Sequence, residues 1–320
     1  MTSCAVHHEW GRLGVAIVGI APADEIVVFH EDSQRWLAPQ AAAFCRAHAG
    51  RRLIDVDAAR ARRIDAQVES LAALLEAEAV TVHRPERLQG AERRFLAPNG
   101  EGVQLFARDP LVVIGGHVID ASLRLLCRQR ERFGLRPHVQ RLTAGGAPWS
   151  SVPFGSPGAV DGPFLEGGDV LLNGREIYVG MSGCATDMAG IDWLQALLGD
   201  SHRVIPVALR SNVLHLDWAL GLLRPGLLVH CPDWLIDGLP MSLRAWDKIA
   251  LSPAEAGELQ TNVLVLDQDR VVVEAGSRRL AEELRCRHVE TIPLAFDGPV
   301  SLGGGLRSAH QPVRRGGAPV

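Results

Sequence analysis

The sequence predicts an α/β protein built from a repeated unit of two strands and a helix. Short apolar runs are joined by tight turns, most clearly where 169–172 and 175–179 flank Asn173-Gly174, a strong short-range signal for a hairpin. Helices with amphipathic spacing follow several of these hairpins, and the unit recurs about every 45–60 residues. A doubly wound sheet would separate its strands by helices instead of turns. We therefore expect quasi-symmetric repeats around a shared centre.

The N-terminal third of the chain is less regular. Residues 15–19 form an unbroken apolar run after Glu9, which indicates a buried strand. Apolar residues recur at helical spacing between 66 and 80, and the stretch 81–85 is typical of a strand that leaves this helix. Residues 22–62 show no clean period.

The hairpins are predicted from residue 105 onwards. They pair 111–114 with 117–119, 169–172 with 175–179, 218–223 with 227–229, and 262–266 with 271–274. Helices are expected at 122–132, 189–198 and 278–287. The unit recurs on both sides of the Pro/Gly/Ser-rich stretch 143–163, so we interpret that stretch as a loop over the site within one domain of residues 1–320. Residues 309–320 are expected to form a flexible tail.

The composition is that of an ordinary globular protein and excludes several function classes. The 320 residues are 47% hydrophobic and 22% charged, which suffices for a sizeable core. A net charge of −4 gives no reason to expect a nucleic-acid or anionic-membrane partner. No apolar run has membrane-spanning length, and no signal peptide is visible at the start. The six cysteines are scattered without a CxxC pair, as expected of reduced thiols in a cytoplasmic protein.

Acidic residues stand beside the predicted strands. Asp109 precedes the first hairpin, and Glu166 and Asp169 flank two glycines before the second. Carboxylates beside glycines suit a cationic guest such as a guanidinium, which they bind with paired hydrogen bonds. His215 and Asp217 fall on one face of a predicted strand, where the carboxylate can orient the imidazole for acid–base work. The alternatives are a capping or salt-bridged Asp109, a solvated turn at the glycines and a structural His215.

Three consecutive glycines at 303–305 predict a tight turn that delivers Ser308 into a site. No Gly-Lys-Ser/Thr follows them, so a phosphate-binding loop is not indicated, and the alternative is a surface turn ahead of the tail. A triad of Ser308, His215 and Asp217 would lack the Gly-x-Ser-x-Gly elbow of hydrolases. A metal site would lack any familiar ligand spacing, so we expect no metal. The ligands considered for such a site are Glu166, Asp169, His215 and Asp217.

Taken in order, these motifs resemble the amidinotransferase family, which includes glycine and inosamine-phosphate amidinotransferases within the guanidino-group-modifying superfamily. The opening segment is similar to the family's Asn-Glu-Trp-Asp-Pro-Leu, and the Gly-Gly-Asp stretch is similar to a signature of the superfamily. The matching stretches are His8-Glu-Trp-Gly-Arg-Leu13 with Ala16-Ile-Val-Gly19, Arg108-Asp109, Leu165-Glu-Gly-Gly-Asp169, Gly190-Ile-Asp-Trp193, His215-Leu-Asp217, Arg224-Pro-Gly226 with Pro232-Asp233, Asn262-Val-Leu264, and Ser301-Leu-Gly-Gly-Gly305 with Val313-Arg-Arg315.

The resemblance implies the pentein fold, a pseudo-fivefold α/β propeller of ββαβ modules with the site in a central channel. It also implies chemistry without a metal or cofactor: a Cys thiolate attacks the guanidinium carbon of arginine, and an acceptor amine or water then takes the amidino group. Asp109, Glu166 and Asp217 match guanidinium-binding carboxylates, and His215 matches the general acid/base. A homodimer is expected on the same ground.

The chain departs from the family pattern at positions that bear on this chemistry. The family tail reads Gly-Gly-Gly-Phe-His-Cys-Trp-Thr, so Ser308 stands at the nucleophile and Arg307 at the preceding His. A hydroxyl is a much weaker nucleophile than a thiolate unless a strong base activates it. Trp234 stands where the family usually has an Arg that holds the donor carboxylate. A loop that is one residue longer brings Cys184 near the expected channel, although a buried structural thiol is the alternative.

Two functions follow from these residues. The first is an amidinotransferase-like enzyme that transfers or hydrolyses the amidino group of a small guanidino- or amino-bearing metabolite. The alternative is an inactive homologue that binds a cationic ligand or an active paralogue. The residues expected to be catalytic are His215, Ser308 and Glu166. The residues expected to bind substrate are Asp109, Asp169, Asp217, Trp234, Asn262 and Arg307.

Overall fold

The chain folds into short strands and helices. The computed structural model describes residues 4–21, 27, 36–37, 39–95, 104–154 and 161–317. Its strands, in chain order, are β1 (Leu13–Val18), β2 (Thr81–His83), β3 (Leu111–Ile114), β4 (His117–Asp120), β5 (Trp149–Ser151), β6 (Val170–Asn173), β7 (Glu176–Met181), β8 (Arg203–Ala208), β9 (Leu220–Arg224), β10 (Leu227–His230), β11 (Asp247–Ala250), β12 (Leu264–Val265), β13 (Arg270–Glu274), β14 (Glu290–Leu294) and β15 (His310–Arg315). Its α-helices are α1 (Pro39–His48), α2 (Leu53–Val56), α3 (Ala58–Ala77), α4 (Gly90–Arg94), α5 (Arg136–Ala144), α6 (Met188–Leu198), α7 (Pro253–Gly257), α8 (Arg278–Cys286) and α9 (Asp297–Val300).

Within these ranges the strands form five three-stranded sheets with one common pattern. Two strands pair antiparallel, and a third joins the middle strand in parallel. The sheet orders are β3-β4-β5, β6-β7-β8, β9-β10-β11, β12-β13-β14 and β15-β1-β2. Helices connect the middle strand to the third strand in four sheets, because a parallel connection needs a crossover. Between β10 and β11 the described backbone forms only 3-10 turns, at Pro232–Trp234 and Met241–Leu243. The predicted repetition of hairpins and helices is confirmed.

The two ends of the chain meet in one sheet. Strand β15 pairs antiparallel with β1, and β1 pairs in parallel with β2. His310, Gln311 and Arg315 are buried although they are polar. The prediction of a flexible tail over 309–320 is therefore wrong for β15, because its backbone is paired and its side chains are enclosed. Residues 318–320 lie outside the described ranges.

Two further sequence predictions need correction in the same part of the fold. The helix expected at 122–132 is replaced by 3-10 turns at Leu126–Arg128 and Glu131–Leu135, and α5 begins only at Arg136. Pro137 favours this late start, because proline is tolerated in the first turn of a helix and disrupts its interior. The stretch 143–163 is not one loop, since it contains β5; residues 155–160 lie outside the described ranges.

The core consists of apolar side chains packed between the sheets and the helices. Helix α3 confirms the predicted helix and begins earlier, at an Asp57 cap whose carboxylate accepts a hydrogen bond from the Arg60 amide. Its buried face contains Ile64, Val68 and Leu71, which follow helical spacing. No helix in the described ranges combines the length and the apolar character that a membrane span needs.

Candidate functional site

The predicted site residues other than Trp234 occupy equivalent places in the five sheets. Each lies on the segment that leads into the antiparallel strand at the start of its sheet. Asp109 precedes β3, Glu166 and Asp169 precede β6, and His215 and Asp217 precede β9. Asn262 precedes β12, and Arg307 and Ser308 precede β15. Every one of these side chains is buried.

His215 and Asp217 do not alternate along a strand, as the sequence suggested. Asp217 lies in a 3-10 turn, Leu216–Trp218, and His215 is the extended residue just before it. The turn still directs the two side chains to neighbouring groups. A 3-10 turn, and not the alternation of a strand, therefore brings His215 and Asp217 into this part of the structure, and their shared role in a site stays a prediction.

Hydrogen bonds connect the five segments in order. The Gly167 amide donates to the Asp109 carbonyl at 3.0 Å, and the Arg108 amide donates to the Ser308 carbonyl at 3.2 Å. The other links run from the Leu216 amide to Asp169 Oδ1 (2.9 Å), from Thr261 Oγ1 to the Asp217 carbonyl (3.0 Å), and from the Arg307 amide to the Asn262 carbonyl (3.1 Å). These bonds hold the segments at fixed distances from one another, which a preorganised site requires.

Gly168 allows a close approach of His215 and Asp109. A Cβ atom at this position would lie 2.5 Å from His215 Nδ1 and 2.9 Å from Asp109 Oδ1. Any larger residue would displace one of the two side chains. The sequence predicted that the glycine pair leaves room for a ligand. In the structure, the side chains of His215 and Asp109 occupy the space beside Gly168.

His215 lies between carboxylates that hold it protonated. Its Nε2 is 2.8 Å from Glu166 Oε2, and its Nδ1 is 3.8 Å from Asp109 Oδ1. Burial disfavours the charged imidazole, but Asp109, Glu166 and Asp169 outweigh it and raise the pKa of His215 to about 10. The imidazole is therefore protonated at pH 7.

Asp169 positions this cluster. Its Oδ1 accepts a hydrogen bond from the Leu216 amide at 2.9 Å, and its Oδ2 accepts one from the Thr186 amide at 3.2 Å. Burial raises the pKa of Asp169 to about 7. Because both oxygens already bind backbone, Asp169 fixes the residue after His215, and its predicted role in substrate binding stays a prediction.

Arg128 was missed by the sequence reasoning, which placed it in the middle of a helix. Its Nη2 donates to Asp109 Oδ2 at 2.9 Å, and its Nε and Nη2 donate to the two oxygens of Glu131, each at 2.9 Å. Burial lowers the pKa of Arg128, but Glu131, Asp109 and Glu166 raise it above its ordinary value. A guanidinium of the chain itself is therefore bound to Asp109. The spacing Arg128-x-x-Glu131 was the available signal, since i, i+3 pairs of opposite charge meet on one side of a helical turn.

Arg307 binds Asp217, another carboxylate that was predicted to bind a guanidinium. Its Nη1 donates to Asp217 Oδ2 at 2.9 Å, and its Nη2 donates to the Val170 carbonyl at 2.7 Å. Glu9 accepts from Nε and Nη2 at 3.2 and 3.1 Å. Burial works against both charges, but Arg307 and Arg108 lower the pKa of Glu9 to about 2. Sequence reasoning placed Arg307 in the site but did not identify Glu9 as its partner.

Ser308 has no base beside it in the described parts of the chain. Its amide and its hydroxyl both donate to Asn262 Oδ1, at 3.0 and 3.3 Å. An amide oxygen accepts a hydrogen bond but does not remove the proton from a hydroxyl at neutral pH. The turn at 303–305 thus delivers Ser308 to the interior as predicted, next to Asn262.

Two buried carboxylate oxygens have no hydrogen-bond partner among the described residues. These are Asp109 Oδ1 and Asp217 Oδ1, and each belongs to a carboxylate whose other oxygen binds an internal arginine. The Nδ2 atom of Asn262 is likewise without a partner in this part of the chain. Unpaired polar atoms are costly in a buried position, so they mark places where a polar guest is favoured.

Two residues highlighted by the sequence lie in the apolar core. Trp234 is buried in the hydrophobic cluster around β9 and β10, and its role in substrate binding stays a prediction. Cys184 is buried in the same cluster, and its thiol donates to the Ser211 carbonyl at 3.3 Å. These contacts favour the structural alternative for Cys184.

Asp109, Glu166 and His215 each have one potential metal-ligand atom, and these three atoms lie within 4.8 Å of one another. This spacing would allow them to bind one metal ion. A metal ion there would have to displace the proton of His215, and Arg128 already holds the other oxygen of Asp109. The cluster thus already holds a guanidinium and a proton between its carboxylates, and it suits a hydrogen-bonding cation better than a metal.

Known proteins resemble this chain along most of its length. None of the models of known protein families matches it. The L-arginine:L-lysine amidinotransferase of Pseudomonas savastanoi pv. phaseolicola is 28% identical, over 97% of this chain and 93% of its own. A Streptomyces griseus protein provisionally named inosamine-phosphate amidinotransferase 2 is 30% identical, over 79% of this chain and 80% of its own.

A solved structure shows the same fold. It is an amidinotransferase from Microseira wollei in the saxitoxin biosynthetic pathway, with a TM-score of 0.85 and 24% identity, covering 99% of this chain and 98% of that one. The two proteins therefore share the arrangement of small sheets and helices described above.

Proposed function

Since this chain belongs to the amidinotransferase family, we propose that it binds a small guanidino- or amino-bearing metabolite at its buried acidic cluster, without covalent amidino transfer through Ser308. The observation that carries this proposal is a pair of buried carboxylate oxygens without a hydrogen bond among the described residues, Asp109 Oδ1 and Asp217 Oδ1. They lie near the protonated His215 and need donors that a cationic ligand supplies.

The environment of Ser308 argues against a covalent intermediate. A serine hydroxyl needs a neutral base within hydrogen-bond reach. The described hydrogen bond of the hydroxyl goes to the Asn262 amide oxygen, and His215 is an imidazolium at neutral pH. Neither group accepts the proton, so attack by Ser308 on an amidino carbon would be slow.

A second candidate function is supported by the Glu166–His215 pair. An imidazolium can protonate the amine that leaves when an amidino group is transferred or hydrolysed. With Ser308 or water as the nucleophile, the chain would then be an amidinotransferase or a C–N hydrolase. This candidate keeps the chemistry that the resemblance implies.

One experiment separates the two functions. The full chain is incubated with arginine-like guanidino compounds and amine acceptors, and binding, product and intact protein mass are measured together. Binding without product or adduct supports the first proposal. Product formation supports the second, and its loss or persistence in Ser308→Ala distinguishes Ser308 from water as the nucleophile. No binding and no product contradicts both.

We also propose that the five sheets close into a pentein ring and that the protein works as a cytoplasmic homodimer. The hydrogen bonds that connect the five strand-entry segments in order support the ring. The six dispersed cysteines, all unpaired, support a reducing compartment. Sedimentation equilibrium tests the homodimer, and a monomer at micromolar concentration would contradict it.

A further inference from the structure

We propose that the ligand of this site is a primary ammonium ion in preference to a guanidinium. The inference rests on the proposed function, because it names the class of cation that the acidic cluster accepts. It depends on which carboxylate oxygens are already engaged and on the different shapes of the two cations. A guanidinium presents a planar fork that matches both oxygens of one carboxylate, whereas an ammonium is a compact charge with three donors that can bind single oxygens.

The Asp109 carboxylate offers one oxygen. Its Oδ2 binds Arg128 at 2.9 Å, and its Oδ1 has no hydrogen bond in the described structure but lies 3.8 Å from His215 Nδ1. Arg128 is itself held by both oxygens of Glu131, at 2.9 Å each, so it does not swing away without breaking a bidentate ion pair. A ligand therefore meets a single acceptor here.

The Asp217 carboxylate repeats this arrangement with another arginine. Its Oδ2 binds Arg307 at 2.9 Å, and its Oδ1 is without a partner in the described structure. Arg307 is fixed by Glu9 and by the Val170 carbonyl. The chain's own guanidinium thus occupies the carboxylate edge that an external guanidinium would need.

In Glu166 and Asp169, the remaining carboxylates of the site, each oxygen already has a hydrogen-bond partner. Glu166 Oε1 accepts from the Arg124 amide at 2.9 Å, and Glu166 Oε2 is 2.8 Å from His215 Nε2. Asp169 uses both of its oxygens on backbone amides. No described carboxylate of the site therefore has two free oxygens for a guanidinium fork, but two of them have one each for an ammonium.

The charge around Asp109 suits a monovalent cation. Asp109, Glu131 and Glu166 face the cations Arg128 and His215, so carboxylates outnumber cations, although burial raises the pKa of Glu131 to about 7. An ammonium ligand has no amidino carbon that a thiolate could attack. A site for such a ligand therefore does not need a cysteine at position 308.

The test compares cations that differ only in the amidino group. Binding of n-butylamine against n-butylguanidine, and of ornithine against arginine, is measured by calorimetry with the full chain. We expect the amine of each pair to bind at least tenfold more tightly, and Asp109→Asn to abolish that binding. Equal binding, or tighter binding of the guanidine, overturns this inference and leaves the proposed function intact. Absence of binding by every compound overturns both.

A variant series tests whether the internal arginines cause the preference. Arg128→Met frees the second oxygen of Asp109, so the affinity ratio of guanidine to amine should rise at least tenfold. Arg130→Met is the matched control, because Arg130 is also buried and its Nη1 donates to the carbonyls of Arg93 and Phe95. The inference is wrong if both variants change the ratio equally. Should Arg128→Met not fold, the comparison of amines and guanidines on the unmodified chain still decides it.

Discussion

Replacing Arg307 by Met should destabilise the protein strongly, because the change leaves two buried carboxylates without their shared cation. Glu9 and Asp217 are 7% and 0% exposed, and Arg307 donates to both. Removing one partner of a buried ion pair costs about 3–5 kcal/mol. The pKa of Glu9 gives an independent figure, since its decrease from 4.5 to about 2 corresponds to about 3 kcal/mol of stability at neutral pH. The two estimates agree.

The assay is urea unfolding at pH 7, with the midpoint and slope fitted for the unmodified chain, Arg307→Met and Arg130→Met. The loss in Arg307→Met should shrink as the pH falls from 4.5 towards 2. Over that range the native Glu9 carboxylate loses the stability that its depressed pKa provides at higher pH. Added guanidinium at a few millimolar should restore part of the stability of Arg307→Met by occupying the vacated site.

Three results would refute this reasoning. One is a loss below about 1 kcal/mol, the range of a surface ion pair. Another is a loss of the same size at pH 3 and pH 7. The last is a recovery of stability that is not selective. Sodium chloride would then stabilise Arg307→Met as much as guanidinium does, or guanidinium would stabilise Arg130→Met equally, and either result would show that the carboxylates do not select the cation.

Three further predictions concern the same cluster. Ser308→Cys should give no arginine-dependent adduct by intact mass, because Arg128 and Arg307 still occupy the guanidinium-binding edges; an adduct of amidino mass would contradict this. Gly168→Ala should destabilise the chain by about 1–3 kcal/mol, since its Cβ would lie 2.5 Å from His215 Nδ1, and an unchanged urea midpoint would contradict it. The His215 ring should titrate near pH 10 by NMR instead of near 6.5, and its contribution to stability, complete below pH 6.5, should be lost as the pH rises through 10. Titration near 6.5 would show that the carboxylates do not hold the proton.

The repeated hairpins were predictable because their signals are local. Asn173-Gly174 lies between two apolar runs, and that pattern specifies a hairpin without reference to the rest of the chain. Strand β15 was missed because its sequence is polar, and its pairing with β1 depends on a contact between the two ends of the chain. The glycines at 303–305 were correctly predicted to form a turn, but the side chains that crowd them, Trp36, Phe106 and Asn262, are distant in sequence and could not be predicted.

The site was predictable in its members but not in its pairings. Asp109, Glu166, His215 and Asp217 were identified from their neighbours in sequence. The cation that each carboxylate binds could not be, because Arg307 reaches Glu9 across almost the entire chain. Arg128 was hidden for another reason: a helix was expected where 3-10 turns direct its side chain into the cluster.

Arg307 and Ser308 are adjacent in sequence, and both bear on the proposed function of the site. Arg307 reaches towards Glu9 and Asp217, while Ser308 reaches towards Asn262. An arginine at 307 removes a carboxylate edge from any external guanidinium, and a guanidinium is the group that a nucleophile at 308 would attack. Once the edge is occupied, a thiol at 308 has no electrophile beside it and remains only a site of oxidation. The internal arginine thus gives a physical reason why serine suffices at the next position, and the amine preference follows from the same contact.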